Sequence, residues 1–190
     1  MKNVDAIGSR YNGFEIAFDR RLANNFSIFG GYTLGAHKEC TSASSNPNDR
    51  INSCGNHLFD STHIANVSGL YRLPGAVLLS GHYQFKTGQP LRRTYTVTRA
   101  QVPNLTQVNQ LVALAPAGDV RRETLTLLDL RLSKRFTAGA NTTIEPTIDV
   151  YNLLNENAAI SEVETVGPAL GRISRNVDGR TLRFGLKLQF

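Results

Sequence analysis

The sequence predicts an all-β fold, in which antiparallel strands form part of a transmembrane β-barrel. Three observations support this prediction. Apolar and polar residues alternate with a period of two in seven segments, short and long connections alternate between these segments, and the segments are long enough to span a membrane. A strand of about 11 residues, rising about 3.3 Å per residue and tilted by about 40°, crosses roughly 28 Å, which matches an apolar band of about 25 Å.

The composition favours strands over helices. The chain has 190 residues, of which 41% are hydrophobic and 19% are charged. The remainder is rich in Asn, Thr, Ser, Gln and Gly, which suit sheet surfaces and loops. No apolar run is long enough for a transmembrane helix, and the N-terminal segment lacks the apolar core of a signal peptide. The net charge is +6, and the Lys and Arg residues are scattered along the chain. This distribution argues against a nucleic-acid partner.

The alternation defines seven predicted strands. In the first strand, Phe14, Ile16 and Phe18 share one face, whereas Glu15 and Asp19 share the other. The remaining strands repeat this separation of apolar and polar residues. The predicted strands are Tyr11–Leu22, Phe26–Leu34, His63–Leu73, Ala76–Phe85, Thr126–Phe136, Thr143–Leu154 and Arg180–Phe190.

Two of these strands have a distinctive residue. The last strand alternates from Leu182 onwards and ends on Phe190. Pro146 lies inside the sixth strand, and it has no N–H with which to join a hydrogen-bond ladder. Its presence there predicts a sheet edge or a β-bulge.

The connections between the strands sort by length. Short turns, built on the sequences ANN, PG and TAGAN, alternate with the long connections Gly35–Thr62, Lys86–Leu125 and Asn155–Gly179. Outer-membrane barrels have this arrangement, with short periplasmic turns and longer external loops. A soluble sheet also alternates apolar and polar residues. A soluble or surface-exposed β-sandwich that binds carbohydrate or protein through its long loops is therefore the alternative.

Five segments together resemble one family of membrane proteins. The run SRYNGFEIAFDRRLANNFSIFGGYTLG resembles the late barrel strands of TonB-dependent outer-membrane receptors. Among these it is most similar to the Oar-like group, whose proteins carry an N-terminal carboxypeptidase-regulatory-like domain. The other matching segments, in the family's order, are FDSTHIANVSGLYRLP, GHYQFKTGQPL, LLDLRLSKRF with IDVYNLLNEN, and GRTLRFGLKLQF.

The resemblance implies that residues 1–190 are the C-terminal part of a receptor barrel. Such receptors have 22 strands and a plug domain, and the plug and the segment that contacts TonB are absent from this sequence. Seven antiparallel strands cannot close a barrel, because the first and last strands run parallel and leave unpaired backbone groups in lipid. This parity also argues against a small self-contained barrel or adhesin.

The resemblance also implies a location and a function. The family takes up substrates across the outer membrane of Gram-negative bacteria, and a chain without the plug is not expected to do so alone. Outer-membrane lipid and lipopolysaccharide are the expected surroundings, and TonB would act only through the missing plug. Phe190 resembles the terminal aromatic residue that the barrel-assembly machinery recognises. The transported ligand and its contact residues are not predicted.

Two clusters in the long connections could carry function. Cys40 and Cys54 are candidates for a disulfide, which would close a loop of about 15 residues and contribute about 3 kcal/mol. His57, Asp60 and His63 have the residue types of a metal site, but the family pattern gives them a structural role at the entry to a strand. We predict no metal and no cofactor.

Paired arginines in the long connections could contact lipopolysaccharide phosphates or an anionic ligand, although solvated loop charges are the commoner case. They are Arg92, Arg93, Arg121, Arg122, Arg172 and Arg175. No nucleophile and base occur in a recognisable catalytic motif, so we do not predict an enzyme.

Overall fold

A computed structural model describes residues 8–40, 50–139 and 141–190. The N-terminal segment, part of the first long connection and one residue of the predicted TAGAN turn lie outside these ranges. The described chain is all-β. Its strands are β1 (Gly8–Ala23), β2 (Phe26–Cys40), β3 (Cys54–Asn56), β4 (His63–Leu73), β5 (Val77–Lys86), β6 (Pro90–Leu91), β7 (Thr94–Thr98), β8 (Asn109–Ala113), β9 (Val120–Arg121), β10 (Leu125–Lys134), β11 (Phe136–Ala138), β12 (Thr142–Tyr151), β13 (Ala159–Glu162), β14 (Ile173–Asn176) and β15 (Thr181–Gln189). Within these ranges, no helix is long and apolar enough to cross a membrane.

The main sheet contains nine strands, and every pairing in it is antiparallel. Its order is β1-β2-β4-β5-β10-β12-β11, with β15 also paired to β12 and β3 paired to β2. Each long strand therefore lies beside the next long strand in the sequence. Within the described part of the chain, β1 pairs only with β2 and β15 only with β12, so the sheet is open.

The pairing register places most of the large apolar residues of the long strands on one side of the sheet, although Phe29, Leu70, Leu78 and Leu127 lie on the other side. For example, Ile16 lies opposite Tyr32 and Ile148 lies opposite Phe184. Because successive residues of a strand point to opposite faces, the register generates an apolar face and a polar face. The apolar face includes Phe14, Ile16, Phe18, Ile28, Tyr32, Val67, Tyr71, Leu79, Tyr83, Leu128, Leu130, Leu132, Ile148, Val150, Leu182, Phe184 and Leu186.

The apolar face is uncovered. Phe14 is 58% exposed and Phe184 is 70% exposed. The buried hydrophobic residues of the described chain are Leu91, Ala117 and Ala158, and all three lie in the long connections. A β-sandwich would cover one face of the sheet with a second sheet to make a core, and no strand of the described chain does so.

The strand boundaries differ from the sequence-based prediction at several places. The seven predicted strands correspond only to the long strands, because the long connections contain short strands of their own. These short strands form the pairs β6–β9, β7–β8 and β13–β14, which satisfy backbone groups inside the connections. The second strand runs to Cys40 rather than ending at Leu34, because its extension pairs with β1 and β3.

Pro146 lies inside the sheet, and the ladder breaks beside it. β10 pairs with β12 from Leu130↔Val150 to Ser133↔Thr147, and β11 resumes in the same register at Phe136↔Ile144. The gap between them lies opposite Pro146, which has no N–H to donate. On the other side of β10 the ladder with β5 continues, where the Arg135 N–H donates to the carbonyl oxygen of Ala76 at 3.1 Å. The proline therefore explains why one predicted strand appears as β10 and β11.

The short turns have the backbone geometry that tight hairpins require. Asn24 and Asn25 both have positive φ, 52° and 68°, as a two-residue type I′ turn demands, and Asn tolerates this region better than most residues. Gly75 and Ala76 repeat the arrangement at φ 76° and 59°. The sixth strand ends at Tyr151, earlier than the predicted Leu154, because Asn152 adopts a φ of 50°.

Candidate functional site

Most of the buried residues of the described chain lie where the long connections meet. They include Ser53, Asp60, Ser61, Leu91, Gln110, Ala117 and Ala158, together with the fully buried Pro90. We call residues 50–62, 87–124 and 155–179 the loop cap. The molecule thus has its small packed interior at the end of the sheet where the long connections cluster.

Asp60 is the centre of the loop cap. Its side chain is only 3% exposed, and its Oδ2 accepts hydrogen bonds from Arg121 Nη2 at 3.1 Å and Asn56 Nδ2 at 3.0 Å. Its Oδ1 accepts the backbone N–H of His37 at 3.1 Å. Burial alone would raise the pKa of Asp60, but the hydrogen bonds from Asn56, Arg121 and His37 outweigh it and hold this pKa below its usual value.

A second ion pair ties the second long connection to the third. Arg122 Nη2 lies 2.7 Å from Glu164 Oε1, and the backbone N–H of Arg92 donates to Glu164 Oε2 at 2.8 Å. Arg122 also donates to the side chain of Gln89 at 3.2 Å. Because a guanidinium and a backbone N–H of one connection both bind a carboxylate of another, the cap is held together by polar contacts as well as by packing.

The two cysteines lie on neighbouring strands. Cys40 and Cys54 are the paired ends of β2 and β3, and the structure joins them in a disulfide with their Cα atoms 4.0 Å apart. Beyond the disulfide, the rings of His37 and His57 stack with centroids 4.3 Å apart. His57 Nε2 also lies 3.7 Å from Glu39 Oε2. The β2–β3 pairing thus positions a small imidazole and carboxylate cluster beside the cap.

The structure does not bring the three candidate metal ligands together. Asp60 binds Arg121, His57 contacts His37 and Glu39, and His63 Nδ1 lies 2.7 Å from the hydroxyl of Tyr32. In the described ranges, no group of three His, Cys, Asp or Glu residues is arranged to hold a metal ion.

The paired arginines of the sequence have different environments. Arg121 and Arg122 are committed to ion pairs within the cap, whereas Arg93, Arg172 and Arg175 are exposed. The sequence suggested arginine contacts to an anion, but it did not reveal their internal partners Asp60 and Glu164. A contact between residues 61 positions apart leaves no local sequence signal.

The polar face of the sheet carries a buried carboxylate between two arginines. Asp149 is 4% exposed, and Arg183 Nη2 approaches its Oδ2 to 2.8 Å. Arg131 binds the same carboxylate from the opposite side. These residues lie opposite one another in the pairing register, so alternation and register together form the network. Arg131 and Arg183 remain about half exposed and leave the network with positive charge toward solvent.

The polar face is also indented. A cavity of about 860 Å³ is lined by Arg72, Ser133, Arg135 and Glu145 near the short turns. A second cavity of about 400 Å³ lies over the Arg131–Asp149 pair and His82. The polar face therefore carries open cavities whose linings mix charged groups of both signs with apolar side chains such as Leu70.

Comparison with solved structures gives a likeness of fold. Three chains match, among them the outer membrane transporter YddB from Escherichia coli, with a TM-score of 0.57 and 13% sequence identity. The match covers 96% of this chain and 25% of that chain, so the present chain spans about a quarter of the transporter's length. No protein-family model and no curated protein matches the sequence. The chain therefore shares the antiparallel β-architecture of part of an outer-membrane transporter.

Replacing Asp60 by Asn should destabilise the loop cap at neutral pH. The change leaves Arg121 largely buried without its carboxylate, and we expect a loss of about 2 kcal/mol in the free energy of unfolding. Because the pKa of Asp60 is lowered in the folded chain, its contribution is complete above the unfolded value of about 3.9 and disappears as the pH falls through the folded value. Urea unfolding of both proteins at neutral and acidic pH measures this difference.

Asp119→Asn is the matched control, because Asp119 is exposed in the same connection and should change stability by less than about 0.5 kcal/mol. A gap between wild type and Asp60→Asn that stays constant into strongly acidic solution would show that the carboxylate charge is not what holds the cap.

Proposed function

We propose that the chain is part of the wall of an outer-membrane β-barrel that belongs to a TonB-dependent receptor and serves substrate uptake in a Gram-negative bacterium. The observation that carries the proposal is the two-sided sheet. One face is apolar and uncovered, and the other holds the Arg131–Asp149–Arg183 network and open cavities. The likeness to an outer-membrane transporter supports a transport-related barrel, and the sequence resemblance supports the receptor family.

Lipid gives the apolar face a partner that the chain itself does not supply. Large exposed side chains such as Phe18, Leu132 and Phe184 would each leave water on contact with hydrocarbon. Each fully transferred side chain of this size contributes about 1.5–3 kcal/mol. The polar face would then line the aqueous lumen, where exposed guanidinium groups keep their hydration.

The soluble β-sandwich has less support. It requires a second layer over the apolar face, and the described chain contributes none. Its long loops would have to carry binding while the sheet remained uncovered. The loop cap is compatible with ligand binding under either interpretation, because long external loops also face the ligand in an outer-membrane barrel.

Membrane insertion is the first test, and a pair of adjacent substitutions makes it specific. Tyr83 lies on the apolar face and Gln84 on the polar face of β5. We expect the chain to resist alkaline extraction from outer-membrane fractions. Tyr83→Arg should lower its insertion stability in lipid vesicles by about 2–4 kcal/mol, whereas Gln84→Arg should have little effect. Recovery of a monodisperse monomer from the aqueous phase without detergent would support the sandwich instead.

The proposal treats residues 1–190 as the C-terminal portion of the receptor barrel. The plug, through which TonB would deliver energy, lies outside this sequence, so the chain alone is not expected to carry out gated uptake. The Oar-like subtype rests on the sequence resemblance alone. The proposal assigns the chain no enzymatic activity and no cofactor.

The genomic DNA upstream of Met1 tests this placement. We expect an in-frame coding sequence for further alternating strands and a plug domain, because the open sheet leaves β1 and β15 with unpaired edges. Sequencing the locus and detecting the corresponding longer protein with an antibody against this chain would provide the measurement. A stop codon immediately upstream, with a stable product of the present size in the membrane, would contradict the placement.

Phe190 is proposed as the assembly signal of the last strand. It is 99% exposed and follows the alternating apolar residues of β15. Deleting Phe190 from the membrane-targeted protein should lower the amount of folded material in the outer membrane while leaving synthesis unchanged. Gln189→Ala, which alters the neighbouring residue but keeps the terminal aromatic ring, is the control. Equal assembly of the two variants would remove this role from Phe190.

A further inference from the structure

Charged side chains on the apolar face occur only beyond its apolar stretch. Among the described residues of the long strands, the face carries four charges, and all four are cationic. They are Arg10, Arg20, Lys38 and Lys134. In β1, the residues of this face between Arg10 and Arg20 are Asn12, Phe14, Ile16 and Phe18. On this face of β1, an uncharged stretch therefore has a cation at each end.

The separation of the two flanking cations matches the thickness of the apolar part of a bilayer. Arg10 and Arg20 are ten residues apart on β1, which corresponds to about 33 Å along a strand, or about 25 Å across a membrane at a tilt near 40°. This is the height of the apolar band of an outer-membrane barrel. Arg20 lies at the short-turn end, and Arg10 lies at the headgroup level of the leaflet that meets the long connections.

At that level, two positive charges face each other. Arg10 and Lys38 are directly opposite in the β1–β2 register, and side chains in this relation have Cβ atoms about 4.5–5.5 Å apart. Like charges directly opposite destabilise a pair of strands. The turn-end cations are placed differently, because Arg20 lies over the ring of Phe26 and Lys134 over that of Phe136.

Nearby carboxylates do not neutralise the pair. Glu39 follows Lys38 in sequence but lies on the polar face, where it approaches His57. Asn56 pairs with Lys38 in the ladder and donates a hydrogen bond to Asp60. The Asp60 carboxylate, however, forms its ion pair with Arg121. In the described part of the chain, neither Arg10 nor Lys38 forms an ion pair with a carboxylate.

We infer that Arg10 and Lys38 bind the phosphate of an anionic lipid headgroup in the leaflet on the long-connection side. A phosphate between them would turn a repulsive pair into two charge-assisted contacts, with the planar guanidinium able to donate twice and the ammonium acting as a point charge. The lipid's acyl chains would then lie on the apolar residues next in line, Phe14 and Leu34. This inference rests on the proposed membrane location and adds a specific lipid site to it.

The test compares insertion of the chain into phosphatidylcholine vesicles with and without phosphatidic acid, whose headgroup is a phosphate monoester. We expect phosphatidic acid to raise the insertion equilibrium constant of the wild type about tenfold. The double variant Arg10→Gln/Lys38→Gln should lose most of this response. Arg72→Gln/Lys187→Gln removes the same charge from exposed positions on the polar face and should retain it. Inorganic phosphate added to phosphatidylcholine vesicles should not reproduce the effect.

A charge reversal separates lipid binding from a simple structural role. Lys38→Glu places a carboxylate opposite Arg10, so the variant should be more stable than wild type in phosphatidylcholine alone and should not respond to phosphatidic acid. An unchanged response in the double variant or in Lys38→Glu, or loss of the response in the polar-face control, would overturn the site. Protease protection reports insertion separately: insertion without lipid selectivity overturns this inference alone, whereas failure to insert into any vesicle overturns the membrane proposal as well.

Discussion

The pairing register is the constraint on which the rest of the structure depends. A shift of one residue in any strand would move all its apolar side chains to the opposite face, and a shift of β12 would also separate Asp149 from Arg131 and Arg183. The register is constant along the long strands apart from one shift between Arg20 and Ala23 in the β1–β2 pair, and the short turns help to set it. Tight turns such as Asn24–Asn25 leave the flanking strands no freedom to slide.

This constraint leads to an unusual distribution of buried surface. No second layer covers the sheet within the described ranges, so its apolar side chains do not form a core there. The buried hydrophobic residues of those ranges occur in the long connections. Burial there is combined with ion pairs around Asp60 and Glu164. A pair removed from water needs good geometry to offset the loss of hydration. The several hydrogen bonds to Asp60 provide that geometry and fix how the connections meet.

The sequence predicted the parts of the fold that have a local signal. Period-two alternation identified the all-β class and separated the two sets of residues, and Asn and Gly marked the turns. It missed the extension of β2 to Cys40, because apolar alternation stops near Leu34 while backbone pairing continues. It also missed the partners of Arg121 and Arg122, because these partners lie in distant connections. It did not reveal that Arg10 and Lys38 form a cross-strand pair, because that depends on the register. The prediction that Pro146 marks a sheet edge or a β-bulge was wrong, because it lies in an interior strand beside a gap in the ladder that leaves the register unchanged.

The gap in the ladder beside Pro146 interrupts backbone pairing without changing which side chains lie on each face. On one side of β10, the pairing with β12 lapses, while on the other side β10 stays fully paired with β5 through Lys134. Bending at this seam can change the local curvature near the short turns while every side chain keeps its face. For the barrel wall proposed above, this seam predicts a rim that can follow a bilayer of uneven thickness while the apolar and polar faces keep to hydrocarbon and water.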